Sequence, residues 1–328
     1  MKRLFLLMMC VALLNACCCG PCGKLVVAPP PISMEEQVRR LTEWQHALPR
    51  VRADLQLAGA HLEYPDEKGA MQSRNSEGYL LLQQHFDAAA GSAESRGDVY
   101  LVGKVLQTTK VFEAGRNAEA WWFAIFVDQN TARTGDASRP VNVAALSDPK
   151  SSGILRADLV FDMLGLSELS APAANAPAMP VSAQVNSAEP QPLLLMLAND
   201  ADASNHLYLA QDKVDLRRMG NPSGPRFGTI AREIIVDRVS GHVTEVHIYN
   251  SEGVLVVRSE LSEYKPVEFE EGVERPAVVP QFPHRVRVSY PAQKTIITLH
   301  FEKVTVPDHF GRVAFATPNF ESLKVIRE

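Results

Sequence analysis

Hydrophobic and polar positions change period several times along this chain, and each change marks an element. Ser33-Met34-Glu35-Glu36 has the form of a capping box, in which the Ser33 hydroxyl accepts from a free amide and Glu36 reaches back. Val38, Leu41 and Leu48 follow near helical spacing with Trp44 beside them. Pro49 makes continuation costly, so a helix is predicted over 34–48. The period then becomes two. Val51, Ala53, Leu55 and Leu57 alternate with Arg52, Asp54 and Gln56, which predicts a half-solvated strand.

Strand signals then recur, each closed by turn residues: 79–84, 99–108, 110–114, 120–127, 193–198, 206–211, 229–238, 243–249, 254–261, 284–290, 295–306 and 323–326. Short polar connections such as Ser240-Gly241-His242 and Ser251-Glu252-Gly253 suit hairpins, so sequence neighbours pair antiparallel. Thr244, Val246 and Ile248 oppose Glu245, His247 and Tyr249, and Val286 and Val288 oppose Arg285 and Arg287. A sheet of about ten or more strands with one apolar face must roll around something. The N-terminal helix alone is too small to cover it.

Two stretches interrupt the alternation. Residues 154–166 have a helical pattern, but Arg156, Asp158 and Asp162 do not gather on one wet face, so the helix wants an apolar surround. The Ala, Pro, Ser and Asn-rich stretch 170–192 reads as a mobile connection, and 265–283 as a second extended loop.

The first sixteen residues read as a secretory leader: Lys2 and Arg3 precede an apolar run, Leu4 to Leu14, too short to span a bilayer. The run ends in Leu14-Asn15-Ala16-Cys17, which resembles a lipobox, so Cys17 is the expected lipidation site and mature N-terminus. All five cysteines lie within the first 22 residues, so no disulfide staples the folded body. Cys18, Cys19 and Cys22 suit a reactive tether; metal binding and further acylation are the alternatives. Residues 17–32, with Pro29-Pro30-Pro31, read as a lipidated, extended spacer ahead of a domain over 33–328.

Composition narrows the function. With 33 basic and 38 acidic residues the chain has no cationic excess, which argues against nucleic acid as a partner. The segment Gly97 to Val105 has one residue too many for a phosphate loop and Val105 where a magnesium-binding hydroxyl is needed. Asp200-Ala201-Asp202-Ala203-Ser204 begins like a calcium loop, but Asn205 stands where Gly is needed. His242 and His247 point to opposite faces of one strand and cannot share a metal. No HExxH, GxSxG or GxGxxG occurs, and no acid/base pair is recognisable. The expectation is therefore a protein that is not an enzyme, with no catalytic residues, metal or cofactor.

Aromatic residues concentrate in one strand, with Trp122 and Phe126 on one face and Trp121 and Phe123 on the other. This is either a core strand or, for Trp122 and Phe126, the lining of a cavity for acyl chains.

In order along the chain, the helix 34–48, the run Val99-Tyr100-Leu101-Val102-Gly103-Lys104 leading to Phe112 to Trp121, the stretch Asp162-Met163-Leu164-Gly165-Leu166, and Val236-Asp237-Arg238 before the last hairpins form a set. This set resembles the LolA/LolB superfamily of periplasmic lipoprotein carriers and acceptors, over roughly residues 34–306. The resemblance implies a mainly β fold, a curved antiparallel half-barrel closed by an N-terminal helix and a lid-like helix. Its apolar concavity would hold the acyl chains of a lipid or lipoprotein. Insertions near 128–152 and 167–192 depart from the family pattern. Candidate cavity or lid residues are Trp122, Phe126, Leu155, Leu159, Met163 and Leu164. Expected partners are acyl chains, a membrane through the N-terminal anchor and a periplasmic carrier protein; Cys18 after Cys17 favours the outer membrane, facing the periplasm. The competing class is a structural or sensory envelope lipoprotein that uses the same fold to contact protein.

Overall fold

A computed structural model describes residues 29–66, 68–86, 97–106, 108–127, 130–137, 143–148, 155–167, 169, 193–210, 230–311 and 313–327. The chain divides into residues 1–30 and a compact unit of residues 31–328, and the architecture below is that of the second. The leader, Cys17 and its neighbouring cysteines, Ile154, and the connection 170–192 lie outside the described residues.

Helix α1 (Met34–His46) starts where the capping box places it, with the Ser33 hydroxyl accepting from the Glu36 amide at 3.2 Å. It ends two residues before the expected boundary. Leu48 lies beyond the last turn yet is fully buried. Val38 and Leu41 complete the apolar stripe that packs on the sheet.

Fifteen strands form one sheet. They are β1 (Arg50–Pro65), β2 (Met71–Gln83), β3 (Asp98–Val105), β4 (Thr109–Arg116), β5 (Ala120–Ile125), β6 (Thr131–Asp136), β7 (Leu193–Asn199), β8 (Ser204–Ala210), β9 (Ile230–Asp237), β10 (Val243–Tyr249), β11 (Leu255–Pro266), β12 (Glu268–Phe269), β13 (Gln281–Tyr290), β14 (Thr295–Val306) and β15 (Lys324–Arg327). The order is β15-β6-β5-β4-β3-β2-β1-β14-β13-β11-β10-β9-β8-β7, with β12 beside β14. Pairing is antiparallel except at β15–β6 and β12–β14. The sheet is thus mainly antiparallel but mixed. It is open, with β15 and β7 at its ends, so the expectation of closure is corrected.

The longest departure from simple alternation is in β1, at the middle of the sheet. Leu55 pairs with Phe301 and Ala60 with Leu299, so three extra residues bulge out of β1. The bulge shifts the burial phase: Val51, Ala53 and Leu55 face inward before it, and Ala60, Leu62 and Tyr64 after it. Leu57, expected to be an inward residue, is 87% exposed on the bulge. Gly59 is required there, because a Cβ would lie 2.6 Å from both the Gln56 nitrogen and the His300 oxygen.

The stretch expected as one helix over 154–166 is two short turns instead. A 3-10 turn (Ala157–Leu159) leads into α2 (Val160–Met163). Gly165, at φ 70°, ends it in a Schellman arrangement, with Leu166 N donating to Phe161 O and Gly165 N to Asp162 O. The expected loop 265–283 is shorter than its composition suggests. β11 runs to Pro266, β12 intervenes, and β13 begins at Gln281.

The order of strands and the contacts of this short segment show that the sheet bends. Arg156 lies over Trp121 of β5 and Asp162 pairs with Arg232 of β9, which are nine strand positions apart. Laid flat at about 4.8 Å per strand, that is about 43 Å. Six residues of 3-10 and α turn advance only about 10 Å, and side-chain reach adds roughly 20 Å. Only a curled sheet brings both strands to one segment.

Candidate functional site

The inner face of the sheet is apolar along most of its width. Leu80 and Leu82 of β2, Leu101 of β3, Phe123 and Ile125 of β5, Leu207 of β8, Val246 and Ile248 of β10, and Phe301 of β14 belong to one continuous core. Residues 155–167 and 169 pack against it. Leu155, Leu159, Met163 and Leu164 are each no more than 3% exposed, and Val160, Phe161, Leu166 and Leu169 join them.

Polar anchors fix this inner segment at several points. Arg156 and Asp158 are both buried and make a two-point pair, Nε to Oδ1 at 3.1 Å and Nη2 to Oδ2 at 2.9 Å. The Arg156 guanidinium also sits 3.9 Å from the centre of the Trp121 ring. Tyr290 of β13 accepts from the Arg156 amide at 3.4 Å and directs its hydroxyl to Met163 Sδ at 3.6 Å. Complete burial pushes the Tyr290 phenol well above its ordinary range. Asp162 pairs with Arg232 of β9. Gln45 of α1 donates to the carbonyls of Gly165 and Ser167 at 3.0 and 2.9 Å. The segment is therefore tied to both halves of the sheet and to α1.

The outer face over β3–β6 is a separate aromatic cluster. Trp122, Ala124 and Ala132 pack with Phe320, and Tyr100, Phe126 and Leu323 border them. Glycines admit both indoles. A Cβ on Gly115 would fall 2.1 Å from Trp122 Cζ2, and one on Gly135 would fall 2.4 Å from Trp121 Nε1. Glu113, fully buried on this face, is held by Lys110.

The residues singled out from the sequence thus fall into two groups on opposite sides of the sheet. Leu155, Leu159, Met163 and Leu164 meet at the inner face, whereas Trp122 and half-buried Phe126 lie outside. The face they were expected to share carries Trp121 and Phe123 instead. Sequence reasoning also missed Trp121, Arg232 and Tyr290 as the docking partners of the segment. The available signal was the scatter of Arg156, Asp158 and Asp162 around its helical projection, since a segment docked on several sides needs polar contacts on several sides.

This arrangement buries apolar surface and locks it with a few ion pairs. Among the described residues, no group of three or more His, Cys, Asp and Glu is placed to hold a metal ion. Among them, too, no helix is long and apolar enough to cross a membrane.

No family model matches the chain, and no curated protein matches it. Its structural neighbours include a DUF1329 family protein from Desulfovibrio piger, with TM-score 0.44, 10% identity, and coverage of 86% of this chain and 95% of that one. A second, described as an outer membrane lipoprotein-sorting protein domain from Vibrio parahaemolyticus, gives 0.41 at 8% identity, covering 86% and 95%. A LolA superfamily protein from Nitrosomonas europaea gives 0.39 at 9% identity, covering 88% and 99%.

Proposed function

We propose that the chain is an envelope lipoprotein, anchored through Cys17, whose inner sheet face takes up the acyl chains of a lipid or lipoprotein when residues 155–166 give way. The observation that carries this reading is a short segment whose apolar side chains pack against a curled apolar face. Burying Leu155, Leu159, Val160, Phe161, Met163, Leu164 and Leu166 is worth roughly 10 to 21 kcal/mol as an upper bound. A sixteen-carbon chain, at about 0.8 kcal/mol per methylene, brings about 12 kcal/mol. The second figure falls within the range of the first, as reversible loading requires. A periplasmic carrier delivering the acyl chains, and attachment to the outer membrane, fit the same role.

One observation favours the alternative of a fixed structural or sensory module. Arg156–Asp158 and Arg232–Asp162 are ion pairs within or beside the core, and moving the segment must re-solvate them. The two readings separate on Leu159→Asp in residues 31–328. If the segment is displaceable, the sheet stays folded and the affinity for an environment-sensitive fatty-acid probe changes. If it is fixed core, the urea midpoint collapses.

A further inference from the structure

The outer face of the C-terminal half carries a row of alternating charges that runs across five strands. His206 Nδ1 of β8 meets Glu233 Oε1 of β9 at 2.8 Å, and His247 Nδ1 of β10 meets Glu233 Oε2 at 3.0 Å. His247 Nε2 meets Glu245 Oε2 at 2.8 Å. Arg258 of β11 then clasps Glu245 at 3.0 and 3.1 Å and reaches Glu260 at 3.1 Å. Arg287 of β13 closes the row on Glu260 at 3.2 Å. Tyr249 donates to Glu233 at 2.9 Å, Tyr208 stands beside it, and Asp202 lies 3.7 Å from His206 Nε2. From β7 the facing side chain opposite His206 is Leu197, which does not titrate.

The imidazolium form of His247 fits this geometry best, with the Tyr249 hydroxyl also 3.4 Å from Nδ1. Both nitrogens face carboxylates, and a neutral imidazole would aim a lone pair at one of them from 3.0 Å or less. The imidazolium donates to both. Glu245 and Glu260 are directly opposite each other across β10 and β11, a repulsive pairing that the row of cations must offset. Glu233 is 7% exposed, so its charge also depends on the donors around it.

On the reverse side, the same two strands hold the inner segment. Arg232, next to Glu233 on β9, pairs with Asp162, and Val243 at the start of β10 packs where Gly165 turns. We propose that His247 is a proton-dependent staple between β9 and β10, and that its protonation sets how firmly these strands hold residues 155–166. This rests on the reading of that segment as displaceable. Burial opposes charge on His247, but its hydrogen bonds to the Glu233 and Glu245 carboxylates outweigh it and raise its pKa above the ordinary 6.5. The staple is therefore complete below about pH 6.5 and is lost as pH rises through the higher folded value.

The test is amide hydrogen exchange of the purified full chain at about pH 6 and about pH 9, corrected for intrinsic rates. The expected result is a roughly tenfold loss of protection in β9, β10 and residues 155–166 at the higher pH. His247→Gln should show the reduced protection at both pH values. Should that variant fail to fold, Glu245→Gln serves, and must lower the pH at which wild-type protection is lost. Unchanged wild-type protection, or a loss confined to β9 and β10 that spares 155–166, overturns the proposal. If protection responds as expected while no fatty-acid probe binds at either pH, the staple stands and the lipid reading fails.

Discussion

Trp121 and Trp122 are neighbours in the chain, yet they serve covers of opposite kinds. On the inner face, Trp121 meets a segment that carries its own charges and is pinned by Arg156, Asp162 and Gln45. On the outer face, Trp122 is fully buried beside Phe320, and its indole nitrogen has no hydrogen-bond partner among the described residues. The outer cover is held by shape, with Gly115 and Ala132 making room for rings. The inner cover is held by discrete polar contacts, which under the proposed function must be broken and re-made as the segment moves. Its candidate ligand would replace apolar side chains, while the polar anchors would set the threshold.

The comparison is most severely tested by Trp122→Ala. Truncation of so large a buried ring should cost about 3 to 5 kcal/mol, read as a lower urea midpoint, while the remaining folded protein keeps its affinity for the probe. A change in affinity as large as the loss of stability would erase the distinction between the faces. Asp162→Asn leaves Arg232 without its charge partner and should destabilise by about 1 to 3 kcal/mol while tightening probe binding, since one anchor is gone. Weaker binding would mean that the anchor shapes the site rather than holds its cover. Gly115→Ala should cost about 1 to 3 kcal/mol by displacing the Trp122 ring, visible as a shift in tryptophan fluorescence with probe affinity intact. Ser33→Ala should remove about 1 kcal/mol through the lost cap of α1 and touch neither face, so it calibrates the series.

Much of the sheet was legible because alternation survives wherever one side is wet. β10 and β14 fall on the residues expected from period alone, Val243–Tyr249 and Thr295–Val306. β1 was legible only to Leu57, because a bulge of three residues reverses the phase and makes the second half look like a different element. β6, Thr131–Asp136, has one fully buried apolar side chain, Ala132, and owes its place to pairing with β5 and β15. Residues 157–163 carry a helical pattern, but Gly165 and docking on many sides limit them to two turns. The charge row was half visible in Glu245, His247 and Tyr249. Glu233 and Arg258 complete it across strands, with Glu233 accepting from both His206 and His247. Such pairs depend on register, which no single strand records.

The proposed function requires residues 155–166 to leave the inner face for a chain to enter. A Cβ at Gly165 would lie 3.5 Å from the Val243 Cβ, within the range of a disulfide. All five native cysteines fall within the first 22 residues, so Gly165→Cys with Val243→Cys in residues 31–328 gives one defined bridge. Placing a side chain at a positive φ costs about 1 to 2 kcal/mol, which the reduced form controls for. Oxidation should abolish fatty-acid probe binding and reduction should restore it. Equal binding by the oxidised and reduced forms would contradict the account.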